Sequence, residues 1–354
     1  MNSLHIIDHF SLGGAQRIVE GILDAIHGAR LLPLRKKGSD AMQFSLPDDL
    51  YFLKPSRNPL RQLLNLLRTP ALILKQRVPV LHFHLYASWV YGLLLRLLLG
   101  RHCPRLVFHE HDSIHLTRWY YPALVRLISR YGIIIAVSAF IQERIAACGV
   151  PANKIHLLRN FVDLRRFSPM DQPVSPEIQP NRSRIGFAGR LVEYKGWRVV
   201  LEMAKIMPET TFLIAGTGTD ANKIASEINQ NGLQKRVQLL GYIKNMETFF
   251  HQIDLLVIPS VREAFGLVQL EAQACGVPVL VFASEAAQEI HGDGSTVLVP
   301  SGDIPMLAAN ARALLADPAL YQKMVEKGLA NAHLYQLGTY AEQLNSIYQS
   351  VLNT

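Results

Sequence analysis

Short runs of branched apolar residues alternate with helical stretches along the whole chain, and one proline-rich segment interrupts that alternation. Such a pattern constrains the fold to parallel sheets whose strands are joined by crossover helices. In the first half the strand candidates are Leu4 to Asp8, Val80 to His84, Leu106 to His109 and Gly132 to Val137. Helices open at Gln16, Leu60, Trp89, Pro122 and Ala139. Between Phe167 and Arg184 the chain carries four prolines and no apolar period, the composition of a linker.

Beyond that segment the alternation restarts. Ile185 to Ala188, Thr211 to Ala215, Val237 to Leu240, Asp254 to Pro259, Val277 to Phe282 and Thr296 to Val299 read as buried strands. Helices fit between them at Trp197 to Ile206, Asp220 to Asn231, Met246 to Gln252, Val268 to Cys275 and Ile304 to Leu315. The chain of 354 residues is long enough for two ordinary cores. The expected organisation is therefore an α/β fold with two Rossmann-like, doubly wound domains. The first spans 1–167, a linker 168–183, the second domain 184–335, and a terminal helical segment 336–354.

Composition excludes several classes. Hydrophobic residues make up 49% and charged residues 18%, which rules out disordered, collagenous and coiled-coil chains. Three cysteines, Cys103, Cys148 and Cys275, are widely spaced with no CxxC, so neither a disulfide framework nor a zinc ribbon is expected, and a reducing cytoplasm fits. The first residues run straight into a strand-like segment, which points away from a signal peptide. The longest apolar stretch, Leu85 to Leu99, has 15 residues and includes Arg96, short of a membrane span of about 20.

Charge is divided unevenly. Residues 1–170 carry 22 Lys/Arg and 10 Asp/Glu, a balance of +12, and the remainder carries 14 and 18, a balance of −4, which together give +8. A local anionic partner of the first half is expected. Leu60, Leu63, Leu64 and Leu67 form a helical stripe, with Arg61, Arg68 and Lys75 seven apart and Pro70 expected to break the helix before the third cation. A basic amphipathic helix of this kind suits an anionic bilayer, and the alternative is a solvated face that covers a core. Basic motifs interleaved with aromatics are missing, so nucleic acid is not the expected partner.

The sharpest constellation is Arg262-Glu263-Ala264-Phe265-Gly266-Leu267-Val268-Gln269-Leu270-Glu271, which follows the strand ending at Ile258. Gly266 lets the backbone approach a ligand, and the amides of 265–268 form the positive end of a helix suited to phosphate or sugar hydroxyls. This segment resembles the E-x7-E signature of retaining glycosyltransferases of family 4. Ile185 to Leu191 with Lys195-Gly196, Leu213 to Gly218, and Leu240 to Ile243 resemble that family's preceding strand ends in the same order.

The resemblance implies the GT-B fold, with two domains facing across a cleft, and transfer of a hexosyl-type group from a nucleotide diphosphate sugar with retention of configuration. UDP-sugar is the favoured donor and GDP-sugar the alternative, with no further cofactor. Arg190 and Lys195 would hold the diphosphate, and Glu263 with the amides of Phe265, Gly266, Leu267 and Val268 the sugar. Glu271 would hold the ribose, and Gly189, Gly216, Tyr242 and Ile243 complete the donor site.

In the first half, Gly13, Gly14, Gln16 and Arg17 after the first strand match the family loop that meets acceptor or phosphate; the loop is not GxGxxG. His109-Glu110-His111-Asp112 ends a strand, with His82, His84, His102 and His115 nearby. His111, or else His109, would contact the transferred sugar. Its spacing matches no standard metal motif and the family generally needs no metal, so none is expected. The acceptor would be a glycan or lipid-linked molecule, as in bacterial surface polysaccharide or lipopolysaccharide assembly. The enzyme would work in the cytoplasm or at the inner face of the cytoplasmic membrane, and its final helix would return to the first domain. A sugar-nucleotide epimerase or hydrolase on the same fold is the alternative.

Overall fold

A computed structural model describes residues 2–9, 13–35, 51–52, 58–112, 115–170, 183–292 and 294–353. The chain divides into two compact units, residues 1–161 with 337–354, and residues 162–336. The passage from one to the other thus comes at 161/162, ahead of the proline-rich segment, whose residues 171–182 lie outside the described ones.

The first unit is built on β1 (Ser3–His9), β2 (Ala29–Arg35), β3 (Val80–His84), β4 (Arg105–Glu110), β5 (Gly132–Ala136) and β6 (Ile155–Leu157). All six pair in parallel in the order β2-β1-β3-β4-β5-β6. Every residue of β3 is buried, as expected where helices cover both faces of a parallel sheet. The connecting helices are α1 (Gly14–Ala25), α2 (Pro59–Gln76), α3 (Tyr86–Leu99), α4 (Tyr121–Ser129) and α5 (Ala139–Ala147). Sequence reasoning missed β2 because Pro33 interrupts its apolar run. The strand lies at the sheet edge, where a residue without an N–H is tolerated.

Pro70 does not end α2, which continues to Gln76. The carbonyl that a residue-70 N–H would have bonded belongs to Leu66, and it accepts instead from the Tyr91 hydroxyl of α3 at 3.0 Å. Arg61, Arg68 and Lys75 therefore share one helix. The leucine stripe does not cover a core: Leu60, Leu63, Leu64, Leu67 and Leu74 are exposed, as are Val90, Leu94, Leu97 and Leu98 of α3. No helix among the described residues is long and apolar enough to cross a membrane.

The second unit has β7 (Arg184–Ala188), β8 (Thr211–Ala215), β9 (Val237–Gly241), β10 (Leu255–Ile258), β11 (Val279–Phe282) and β12 (Val297–Val299). They form a parallel sheet in the order β12-β11-β10-β7-β8-β9. Its helices are α6 (Trp197–Ile206), α7 (Ala221–Gln230), α8 (Met246–Phe250), α9 (Leu267–Ala274), α10 (Glu285–Glu289), α11 (Ile304–Ala316) and α12 (Pro318–His333). One core on this sheet gathers Trp197, Phe187, Phe212, Val257 and Leu307, all nearly or fully buried. The last helix, α13 (Leu337–Asn353), belongs to the first unit and buries Tyr340, Leu344 and Tyr348 there.

Candidate functional site

Each sheet has one place where the chain reverses its direction of strand addition, between β1 and β3 in the first and between β7 and β10 in the second. Ligands of open α/β sheets settle at the carboxyl ends of strands flanking such a point. In the second unit those ends carry Gly189 to Gly196 and Ser260 to Gly266. Lys195 Nζ donates to Glu263 Oε1 at 2.7 Å, an ion pair that bridges the two strand ends with both side chains about four-fifths withdrawn from solvent. The Tyr194 ring stands beside both cations, 5.9 Å from the Arg190 guanidinium and 5.7 Å from Lys195 Nζ. Arg190 itself is exposed.

Close backbone packing fixes these loops. Gly189 N–H donates to Ala215 O at 3.0 Å, Leu191 N–H to Thr217 O at 2.9 Å, Gly216 N–H to Gly241 O at 2.7 Å and Val261 N–H to Tyr194 O at 3.0 Å. A Cβ on Gly216, whose φ is 141°, would overlap the Gly189 carbonyl oxygen, and one on Gly196 would overlap that of Pro259. Tyr242 and Ile243 follow β9 directly and are half-buried.

Gly266, with φ at 106°, sits at the N-cap of α9 and makes the turn that aims the amides of Phe265, Gly266, Leu267 and Val268 out of the helix start. Phe265 is buried, with its ring 5.8 Å from that of Tyr335, whereas Leu267 and Val268 are half-buried. Glu271 is buried in α9 at 3% exposure, an unusual place for a carboxylate, and its charge helps to push the Cys275 thiol up to about 12, after burial as the main cause.

In the first unit, Gly13 caps α1, Arg17 N–H donates to Gly13 O at 3.2 Å, and Gln16 is buried with its amide oxygen where a Gly13 side chain would go. Strand register places His5 opposite His82 and His84 opposite His109 on one face of the sheet. His109 and His111 stack with ring centroids 4.0 Å apart. A hydrogen-bond chain runs from His111 away from His109: His111 Nε2 lies 2.9 Å from His84 Nδ1, His84 Nε2 3.0 Å from His5 Nδ1, and His5 Nε2 3.1 Å from Ser3 Oγ. Tyr348 of α13 closes over the cluster, its hydroxyl 2.6 Å from His82 Nδ1.

Burial, reinforced by neighbouring imidazoles, holds His82, His84 and His109 well below the usual histidine range, and burial alone takes His5 and His111 down to about 3. All five are neutral at physiological pH. Glu110 alternates to the opposite face, where Tyr121 donates to it at 2.9 Å and the Asp112 amide at 3.1 Å; burial still pushes its carboxyl up to about 8. His84 is followed by Leu85 with φ at +69°, a strained conformation held by Ser88 Oγ bonding the carbonyls of His84 and Leu85.

The model of Glycosyltransferase Family 4 matches residues 37–166, and that of Glycosyl transferases group 1 matches 171–330. The chain belongs to the family 4, group 1 glycosyltransferases. Among relatives of this glycosyltransferase, the lipopolysaccharide core biosynthesis mannosyltransferase LpcC of Rhizobium leguminosarum bv. viciae is 28% identical over 327 residues, covering 87% of this chain and 86% of that one. The structure of Anabaena HepE in complex with UDP and glucose superposes with a TM-score of 0.82 at 20% identity, over 98% of this chain and 99% of that one. Sucrose-phosphate synthase of Thermosynechococcus elongatus does so with a TM-score of 0.79 at 20% identity, over the whole of both chains. The fold of this glycosyltransferase is GT-B.

Two residues that pack into these candidate clusters of the glycosyltransferase were not legible in its sequence. Tyr194, between the two cations, had only its place in Arg190-Leu191-Val192-Glu193-Tyr194-Lys195 as a signal. His5 stood alone in an apolar strand, and only the register with His82 brings it to the other imidazoles. His102 and the exposed end of α3 are not part of that cluster, and the side chain of His115 lies outside the described residues.

Proposed function

We propose that this glycosyltransferase moves a sugar, with retention of configuration, from a UDP-sugar to a glycan or lipid-linked acceptor of lipopolysaccharide-core type at an anionic membrane surface. The observation that carries the donor half is the Lys195–Glu263 pair across the β7/β10 switch point. An ammonium has three N–H donors; one meets Glu263, and the others are free to point at a diphosphate whose charge grows as it departs. Arg190, beside the same Tyr194 ring, supplies a planar cation for the same group.

Glu263 and the amides of 265–268 then hold the sugar, Glu271 the ribose, and Tyr242 and Ile243 the nucleoside side, as the family resemblance implies. His111 contacts the transferred sugar, and as a neutral imidazole it serves as a hydrogen-bond partner rather than as a cation. No separate protein nucleophile is needed, because the leaving phosphate takes the acceptor hydroxyl's proton. The UDP and glucose bound by HepE support the choice of donor, and LpcC's role in lipopolysaccharide core biosynthesis supports the acceptor class. The exposed leucines of α2 and α3, with Arg61, Arg68, Lys75 and Arg96 among them, support membrane contact.

A thermal-shift panel with UDP, GDP, ADP and their sugars tests the reading. Stabilisation by UDP and its sugars alone is expected, and silence towards every nucleotide defeats it. Retention is checked by the anomeric configuration of product and donor in NMR spectra.

A further inference from the structure

We propose that His84, His109 and His111 form a binding site for one divalent cation of borderline softness, zinc foremost, with His5 as the supporting partner behind His84. One nitrogen from each of the three rings falls within 4.8 Å of the other two. A tetrahedral ion with zinc–nitrogen bonds of about 2.0–2.1 Å would set them about 3.4 Å apart, with the stacked rings of His109 and His111 turning to share it.

Hydrogen-bond accounting points the same way. A neutral imidazole carries one donor and one acceptor, and burying either without a partner is unfavourable. Four ring nitrogens of the cluster are buried with no partner: His82 Nε2, His109 Nδ1 and Nε2, and His111 Nδ1. The chain through His84 and His5 accounts for neither nitrogen of His109, whereas a cation bound between His109 and its neighbours uses its one acceptor lone pair.

The donor set selects the ion. Among the described residues the site offers nitrogens only, since Glu110 is on the opposite face of β4 and is held there by Tyr121. Imidazoles suit zinc, cobalt, nickel or copper, whereas magnesium and calcium prefer oxygen. His84 turns Nδ1 towards His111 and Nε2 towards His5 Nδ1, which leads on to Ser3 Oγ. An imidazole that donates its second N–H to a fixed acceptor is the usual outer support of a metal ligand. A second triple, His5, His82 and His84, is wholly buried; both His5 nitrogens and His82 Nδ1 are engaged with Ser3, His84 and Tyr348, which leaves only His82 Nε2 without a partner. The first triple has the partly exposed His111, which gives a route in and leaves the fourth position to solvent or an anionic oxygen.

The test reads binding itself, independently of sugar transfer. The untagged, chelator-stripped chain is titrated with zinc chloride and measured by calorimetry and elemental analysis, and cobalt is added separately for its visible spectrum. One zinc per chain at micromolar affinity or better, a low-coordinate cobalt spectrum and no competition from magnesium are expected. His109→Asn and His84→Asn should abolish binding, His5→Asn should weaken it by about tenfold or more, and His82→Asn should leave it unchanged. Circular dichroism shows whether each variant is folded, and the wild-type cobalt spectrum stands without variants. Absence of stoichiometric zinc on the wild type, or binding that survives in folded His109→Asn, overturns the site.

Discussion

Lys195 Nζ donates to Glu263 Oε1 at 2.7 Å, joining two strand ends that are 68 residues apart in the chain and adjacent in the sheet. The pair is partly solvated, so its removal should cost the fold no more than about 1 kcal/mol. Its loss should matter far more to a departing diphosphate. Lys195→Ala is expected to lower kcat/KM for transfer by roughly 10²–10³-fold, the scale for one lost electrostatic partner. Steady-state kinetics beside a thermal melt checks both halves, and near-normal turnover removes Lys195 from the mechanism.

Gly216 and Gly189 pack closely in adjoining loops, yet they should respond in opposite ways to a methyl group. A Cβ on Gly216 meets the Gly189 carbonyl oxygen at a φ that alanine avoids, whereas one on Gly189 finds nothing nearer than Phe187 at 4.0 Å. Gly216→Ala should destabilise by about 2–4 kcal/mol, and Gly189→Ala should stay within about 1 kcal/mol. Urea midpoints of the two variants distinguish them.

The sequence carried the strands of both sheets where they are unbroken apolar runs: β3 and β8 were read to the residue. Pro33 hid β2, because a proline argues against a strand unless the strand's place at the edge is known. Pro70 misled for a related reason: the partner that satisfies Leu66 O is Tyr91, 25 residues away and on another helix. The proposed donor segment around Glu263 and Glu271 could be read from the sequence because its residues lie within one short stretch. The histidine cluster was only half legible, since β1, β3 and β4 are neighbours in the sheet order and distant in the chain.

The Tyr91 hydroxyl takes the place of the helical bond that Pro70 cannot make, so the two residues should be coupled. Tyr91→Phe should cost about 1–2 kcal/mol, the penalty for a stranded carbonyl. In a Pro70→Ala background the alanine N–H can serve Leu66 O, and the same substitution should cost less by about 0.5–1.5 kcal/mol. A double-mutant cycle in urea measures the difference; strict additivity would mean that the hydroxyl does not support the helix.

All three thiols are held in the protonated form by burial, which raises Cys103 to about 11, Cys275 to about 12, and Cys148 above its usual value. A raised thiol pKa means less thiolate, the reactive species, at every pH below it. Iodoacetamide at about pH 8 should therefore modify the native chain more slowly than the unfolded one, with Cys275 last because it is also buried. Rates should climb as pH rises towards 11. Peptide mass spectrometry over time resolves the three sites, and early modification of Cys275 contradicts the order.

Exposure of Leu67 at 66% and Leu97 at 77%, on two helices that are also basic, makes a surface expensive to leave in water and suited to an anionic bilayer. Each cation near such a surface is worth about 1 kcal/mol, or roughly fivefold in partitioning. Co-sedimentation with phosphatidylglycerol vesicles should exceed that with phosphatidylcholine vesicles and weaken with salt. Arg61→Ala and Arg68→Ala should each reduce it roughly fivefold. Leu67→Glu should reduce it further, through lost apolar insertion and added like-charge repulsion, without changing the melting temperature, since Leu67 supports no core. Equal binding to neutral and anionic vesicles would show that the basic stripe of α2 is an ordinary solvated face.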